Sequence, residues 1–112
     1  MFTAYTEDGY QTVLDGILIK TLVVGERSLL SEFHLEKGHP LPRHAHPQEQ
    51  SGYLVSGHIR LTIDSEVFDA LSGSSWCVPV NVEHSAEIVE DSVAIEIFIP
   101  VREDYLKYFQ GK

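Results

Sequence analysis

The stretch Gly38-His39-Pro40-Leu41-Pro42-Arg43-His44-Ala45-His46-Pro47-Gln48-Glu49-Gln50, running on through Ser51-Gly52-Tyr53-Leu54-Val55-Ser56 to Gly57, decides how this chain is read. His44 and His46 are separated by one residue. On an extended strand, residues i and i+2 share a face, so the two imidazoles would aim at one point. Neutral imidazole is the commonest protein ligand for divalent transition metals. Gln50, a neutral oxygen donor, is close enough in sequence to join them. Glu49 is the adjacent alternative, but on a strand it faces the opposite way, so Gln50 ranks first. A further histidine, His84, must come from elsewhere in the fold.

Outward from this stretch, apolar residues recur with period two. Ile17, Ile19, Thr21 and Val23 alternate with Leu18, Lys20, Leu22 and Val24. Ile59, Leu61 and Ile63 alternate with His58, Arg60 and Thr62, and Val93, Ile95, Ile97 and Ile99 with Ala94, Glu96 and Phe98. Such segments read as strands. Turn signals separate them, among them Asp15-Gly16, Gly25-Glu26, Lys37-Gly38, Ser56-Gly57, Ser72-Gly73 and Glu90-Asp91. Strands at this spacing suggest an all-β sandwich or barrel. Pro40 and Pro42 should stiffen the loop before His44 and interrupt any strand there. Only the end looks helical, from Arg102 to Phe109, with Tyr105 and Phe109 four residues apart.

Length and composition set bounds. At 112 residues the chain is expected to be a single domain spanning 1–112. One cysteine, Cys77, excludes an internal disulfide and fits a reducing cytoplasm. Cys77 lies in the apolar run Trp76-Cys77-Val78 and is expected to be a small buried hydrophobe. No apolar run reaches the ~18 residues of a membrane span, and Met1 to Tyr10 lacks the pattern of a signal peptide. The net charge of −9 would repel nucleic acid. It says little about a small anionic substrate, because a metal and one arginine can dominate locally.

The first segment resembles the first cupin motif: a glycine, five residues, His-x-His, three or four residues, a glutamate, six residues and a glycine. Gly38, His44, His46 and Gly57 fit in register, and Gln50 stands where glutamate is usual. The second segment, Gly73-Ser74-Ser75-Trp76-Cys77-Val78-Pro79-Val80-Asn81-Val82-Glu83-His84, is similar to the second cupin motif. That motif is a glycine, five residues, Pro-x-Gly, two residues and a histidine. Asn81 replaces its second glycine and tolerates positive φ, so the turn survives. The asparagine expected four residues after His84 is Ile88, a departure from the motif. The resemblance implies a single-domain jelly-roll of antiparallel strands with a short C-terminal helix. It also implies a metal held by His44, His46, Gln50 and His84. Three imidazoles and an amide oxygen suit Fe, Mn, Ni, Co, Cu or Zn. They leave one or two coordination positions open for chemistry. His34, His39 and His58 read as ordinary polar residues.

A third segment narrows the function. Glu96 is a charge within the apolar run Ser92 to Ile99. Either its face is exposed, or it lines the barrel interior as a desolvated acid or base. The run from Glu96 through Phe98 to Arg102 resembles the C-terminal part of KdgF-type cupins, which process unsaturated monouronates from pectin and alginate. In that family an acidic residue, usually aspartate, a phenylalanine two later and an arginine four beyond line the site. The resemblance implies a small anionic sugar-like substrate, with Glu96 transferring protons, Phe98 walling the pocket and Arg102 holding a carboxylate. The implied reaction is ring opening and keto–enol isomerisation of a 4,5-unsaturated uronate. A metal-dependent dioxygenase and a non-catalytic small-molecule or metal-binding module stand as alternatives. Small cupins of this type are usually homodimers, and unpaired sheet edges here need cover.

Overall fold

The computed structural model of the chain describes residues 1–110. Eight strands dominate: β1 (Gln11–Leu14), β2 (Ile17–Val24), β3 (Leu29–Leu35), β4 (Pro40–His44), β5 (Glu49–Ile63), β6 (Glu66–Leu71), β7 (Ser75–Val78) and β8 (His84–Ile99). A short 3-10 helix, Glu103–Tyr108, follows. Every strand pairing is antiparallel.

β5 and β8 organise the fold. They pair along nearly their whole length, and each changes its other partner midway. β8 lies between β5 and β4 near His84–Glu87, and between β5 and β3 along Ser92–Phe98. β5 meets β7 through Gln50–Tyr53 and β6 through His58–Ile63. The two long strands therefore serve both walls of a jelly roll. Gly57 makes the turnover possible. Its φ is +103°, and a side chain there would collide with Ser92 Oγ and the Asp91 carbonyl. The bend of β5 thus nests on the bend of β8, where the His58 amide donates to Ser92 Oγ at 3.0 Å.

Alternation then sorts side chains between core and solvent. Along β8 the even-numbered His84, Ala86, Ile88, Ser92, Ala94, Glu96 and Phe98 are buried. On the other face Ile97 and Ile99 are exposed. In β5, Gln50, Gly52 and Leu54 face inward until the irregular register around Ser56–His58 passes the role to Ile59 and Leu61. Ile17, Ile19, Leu29, Leu54, Ile88 and Phe98 are fully or almost fully buried. Each such apolar side chain stabilises the fold by about 1.5–3 kcal/mol.

Three expectations are corrected. Pro40 and Pro42 do not break the chain out of the sheet, because Pro40–His44 is β4. β4 pairs with β8 alone, so it is an edge where a missing N–H is tolerated. Its register slips between Leu41 and His44. Cys77 is exposed, not buried. β7 alternates, and Trp76 and Val78 take the inner side. The C-terminal helix is 3-10, with three residues per turn, so Tyr105 and Tyr108 share the buried face instead of Tyr105 and Phe109. Thr21 Oγ1 donates to the Tyr105 carbonyl at 2.7 Å and ties this helix to β2. Among the described residues no helix is long and apolar enough to cross a membrane.

Candidate functional site

The three motif histidines meet. His44 closes β4 and His84 opens β8 directly opposite it. His46 stands in the connection to β5, so a turn of the chain rather than strand alternation brings it to His44. The His44 and His84 ring centres are 4.2 Å apart, and His46 lies 5.6 Å from His44 and 5.0 Å from His84. Asn81, at φ +61°, turns the second motif so that its amide donates to the His46 carbonyl at 2.9 Å.

Backbone carbonyls set all three tautomers. Nδ1 of His44, His46 and His84 contacts the carbonyls of Pro42, Gln48 and Val82 at 2.7, 3.0 and 3.0 Å. A carbonyl only accepts, so each Nδ1 carries the proton and each Nε2 of a neutral ring presents a lone pair. One ligand atom from each of the three lies within 4.8 Å of the others. The arrangement has the marks of a cation site. His84 Nε2 is buried without a hydrogen-bond partner. Gln50 Oε1 faces His46 Nε2 at 2.9 Å, two acceptors turned toward each other. A cation satisfies all of these lone pairs together. Burial lowers the pKa of His84 to about 4 and also lowers that of His46, with the Arg102 charge adding to the effect at His46. Both rings are therefore neutral and competent as ligands near neutral pH.

Glu96 lies beside this cluster. Of the two readings of its face the structure shows the inner one, for Glu96 is only 8% exposed. Gln50 Nε2 donates to Glu96 Oε1, and so does Trp76 Nε1 at 3.2 Å. Among the described residues Oε2 has no hydrogen-bond partner. Burial raises the Glu96 pKa to about 7, outweighing the two donors and the Arg102 charge. Phe98 packs edge-on to His46 and Tyr105, with ring centres at 5.7 and 5.4 Å. The Arg102 guanidinium lies over Tyr105 at 4.0 Å and over Phe98 at 5.2 Å. Its Nε donates to Asp104 at 3.1 Å.

A cavity of about 500 Å³ joins these groups, lined by His44, Gln50, His84, Glu96, Phe98 and Arg102 among others. Trp76, Tyr105 and Tyr108 also line it, three side chains that the sequence motifs do not mark as site residues. Trp76 could have been found from alternation within β7, since it shares a face with buried Val78. The tyrosines reach the cavity through a chain return that no local pattern encodes. His34, His39 and His58 pair with Glu32, Glu36 and Asp69 and stand apart from the cluster.

A jelly roll with three convergent imidazoles beside its cavity defines the class of protein. The cupin-domain family profile matches residues 31–100, and the chain belongs to the cupin family. Among solved structures it is similar to KdgF from a Halomonas species, at 27% identity and a TM-score of 0.89, covering 95% of this chain and 100% of that one. An RmlC-like cupin from Shewanella frigidimarina matches at 25% identity and a TM-score of 0.89, over 94% of this chain and 95% of that one. Salicylate 1,2-dioxygenase from Pseudoaminobacter salicylatoxidans shares the fold, at 15% identity and a TM-score of 0.75, over 78% of this chain and 28% of that one. No curated protein sequence matches the chain.

Proposed function

We propose that this cupin isomerises a small unsaturated uronate, opening the cyclic 4,5-unsaturated sugar and carrying its enol to the keto form. The observation that carries the reading is the meeting of Glu96, Phe98 and Arg102 with His44 and His84 around one cavity, His46 completing the imidazole cluster beside it. The spacing of Glu96, Phe98 and Arg102, and the likeness to KdgF, support it.

In this reading the whole chain acts as one cupin domain, and His44, His46, His84 and Gln50 hold a divalent transition metal. When bound, the cation supplies Lewis acidity toward substrate oxygens. Arg102 takes the uronate carboxylate. Its Nε is occupied by Asp104, which leaves the two Nη groups to make parallel bonds to the carboxylate. Phe98 and Tyr105 press on the guanidinium and keep water from one side of it. Glu96 moves the proton through Oε2, the oxygen free of protein donors. Burial strengthens the hold of Glu96 on a proton and a bound cation would weaken it, so the carboxyl is placed both to take and to give one. The substrate and product are isomers, so proton transfers suffice and no redox partner is needed.

The test is incubation of metal-loaded protein with unsaturated monouronate, following loss of the enol by absorbance or NMR. No acceleration over the spontaneous reaction removes the proposal. Stoichiometric oxygen uptake with substrate loss would replace it with a dioxygenase. Glu96→Gln should abolish turnover with metal content unchanged. We place the reaction in a reducing cytoplasm, which the unpaired, exposed Cys77 thiol supports. We also infer a homodimer. Tyr53, Val55, Ile97 and Ile99 give an exposed apolar patch on β5 and β8, bordered by Glu49, that a second copy can cover. Mass measured in solution by light scattering tests that pairing.

A further inference from the structure

Trp76, Gly52 and Glu96 stand in one row across three strands. Gly52 of β5 is the register partner of Trp76 on β7 and of Glu96 on β8. All three positions face the interior. A side chain on the middle strand would normally separate the outer two. Here the middle residue has none, and a Cβ built on Gly52 would overlap indole Cε2 and Nε1. The indole fills that gap and its Nε1 reaches Glu96 Oε1 at 3.2 Å. The backbone of Gly52 is not in the left-handed region, so close approach alone calls for glycine here.

We infer that Trp76, seated in the gap left by Gly52, is a positioning residue that pins one oxygen of Glu96 and directs the other into the cavity. Gln50 holds the same oxygen from the metal side. With both donors on Oε1 the carboxylate plane is set, and Oε2 is the atom presented to a bound molecule. A carboxylate held by one donor would rotate and spend part of its time with neither oxygen aimed at substrate. The seat itself follows from the geometry. Its consequence for turnover rests on the uronate reading above.

Trp76 is the only tryptophan in the chain, so its fluorescence reports the seat directly. Gly52→Ala should displace the indole, shift its emission to longer wavelength and raise quenching by acrylamide. Unchanged emission and quenching in folded Gly52→Ala overturns the proposal. Should that variant fail to fold, Glu96→Ala decides the point, since removing the acceptor must change the emission of a bonded indole. In the uronate assay, Trp76→Phe should lower kcat by about tenfold or more with KM nearly unchanged. Metal content should stay at the wild-type level. Gly52→Ala should lower kcat in the wild-type background yet add little to Trp76→Phe, because its effect passes through the indole. Additive losses, or a KM effect alone, overturn the positioning role. If the wild type does not turn over uronate, the functional reading fails by itself, and the emission measurements still judge the seat.

Discussion

Gln50 joins His46 to Glu96: its amide nitrogen donates to the Glu96 carboxylate while its oxygen stands 2.9 Å from His46 Nε2. A neutral amide can serve both neighbours at once. In Gln50→Glu the nitrogen donor is lost and two carboxylates meet in a buried space, where both cannot be ionised. The added charge should strengthen the hold on a divalent cation by about tenfold or more in a chelator competition. Turnover should fall by at least about tenfold, because Glu96 loses a donor and shares a proton with its new neighbour. Weaker retention of metal in Gln50→Glu contradicts the place given to Gln50 as a ligand.

The metal-free chain should show two opposed pH dependences of stability. Burial lifts Glu96 to about 7 from its ordinary 4.5, so between these values the folded chain keeps a proton that the unfolded chain has released. That contribution is fully present below about 4.5 and is lost as pH rises toward 7. His84 is lowered to about 4 from 6.5 chiefly by burial, with the Arg102 charge adding to it. Its contribution is present above about 6.5 and lost as pH falls toward 4. The two contributions offset one another between about pH 4.5 and 6.5. His46 acts in the same direction as His84. Glu96→Gln removes one side, so its stability in the presence of chelator should climb with pH more steeply than that of the wild type. Urea unfolding at several pH values measures both slopes, and equal slopes rule the account out.

Arg102 owes its pose to Tyr105, Phe98 and Asp104 together. Lysine keeps the charge but loses the planar fork and most of the stacking. Arg102→Lys should raise KM for an anionic sugar by about tenfold to a hundredfold, the worth of a lost bond between charged groups. Its melting temperature should fall by only a few degrees, since one stacked cation contributes about 0.5–2 kcal/mol. Steady-state kinetics with an uncharged sugar analogue provides the control: its KM should be unaffected.

Phe98 belongs to the core and to the cavity at once, 1% exposed and in contact with His46 and Tyr105. Phe98→Ala should therefore cost about 3–5 kcal/mol of stability, transfer and cavity terms together. Phe98→Leu should cost far less and keep the metal. A denaturant series on both variants checks this, and a loss below about 1 kcal/mol for Phe98→Ala places the ring outside the core.

The inner half of this site was legible because strand parity is a local rule. Alternation put Gln50 inward and Glu49 outward, and placed Glu96 on the face of Ala94 and Phe98, as observed. The spacing of the second motif carried His84 to the other histidines even with Asn81 in place of glycine. The same rule, applied to β7, turns Cys77 outward and Trp76 inward, but apolar residues on both faces of Trp76-Cys77-Val78 hide the alternation. Pro40 and Pro42 misled for a different reason. Proline forbids a pairing only on the side where its N–H is needed, and β4 has a partner on one side alone. Tyr105, Tyr108 and Asp104 reach the cavity because the C-terminal segment returns to β2, a long-range contact that no window of sequence holds.

Removing the cation should destabilise the fold measurably. The unfolded chain has no assembled imidazole cluster, so a ligand at a hundred times its Kd adds about 2.7 kcal/mol to the folded state. For a chain of this length that is a melting shift of roughly 10 °C. Chelation should lower the wild-type melting temperature by that order. His84→Leu replaces the orphaned Nε2 with an apolar group of similar bulk. It should melt at nearly the same temperature with or without chelator, because it holds no cation to lose. A chelator shift as large in His84→Leu as in the wild type would mean that the cation binds without His84, and the three-imidazole site would have to be redrawn.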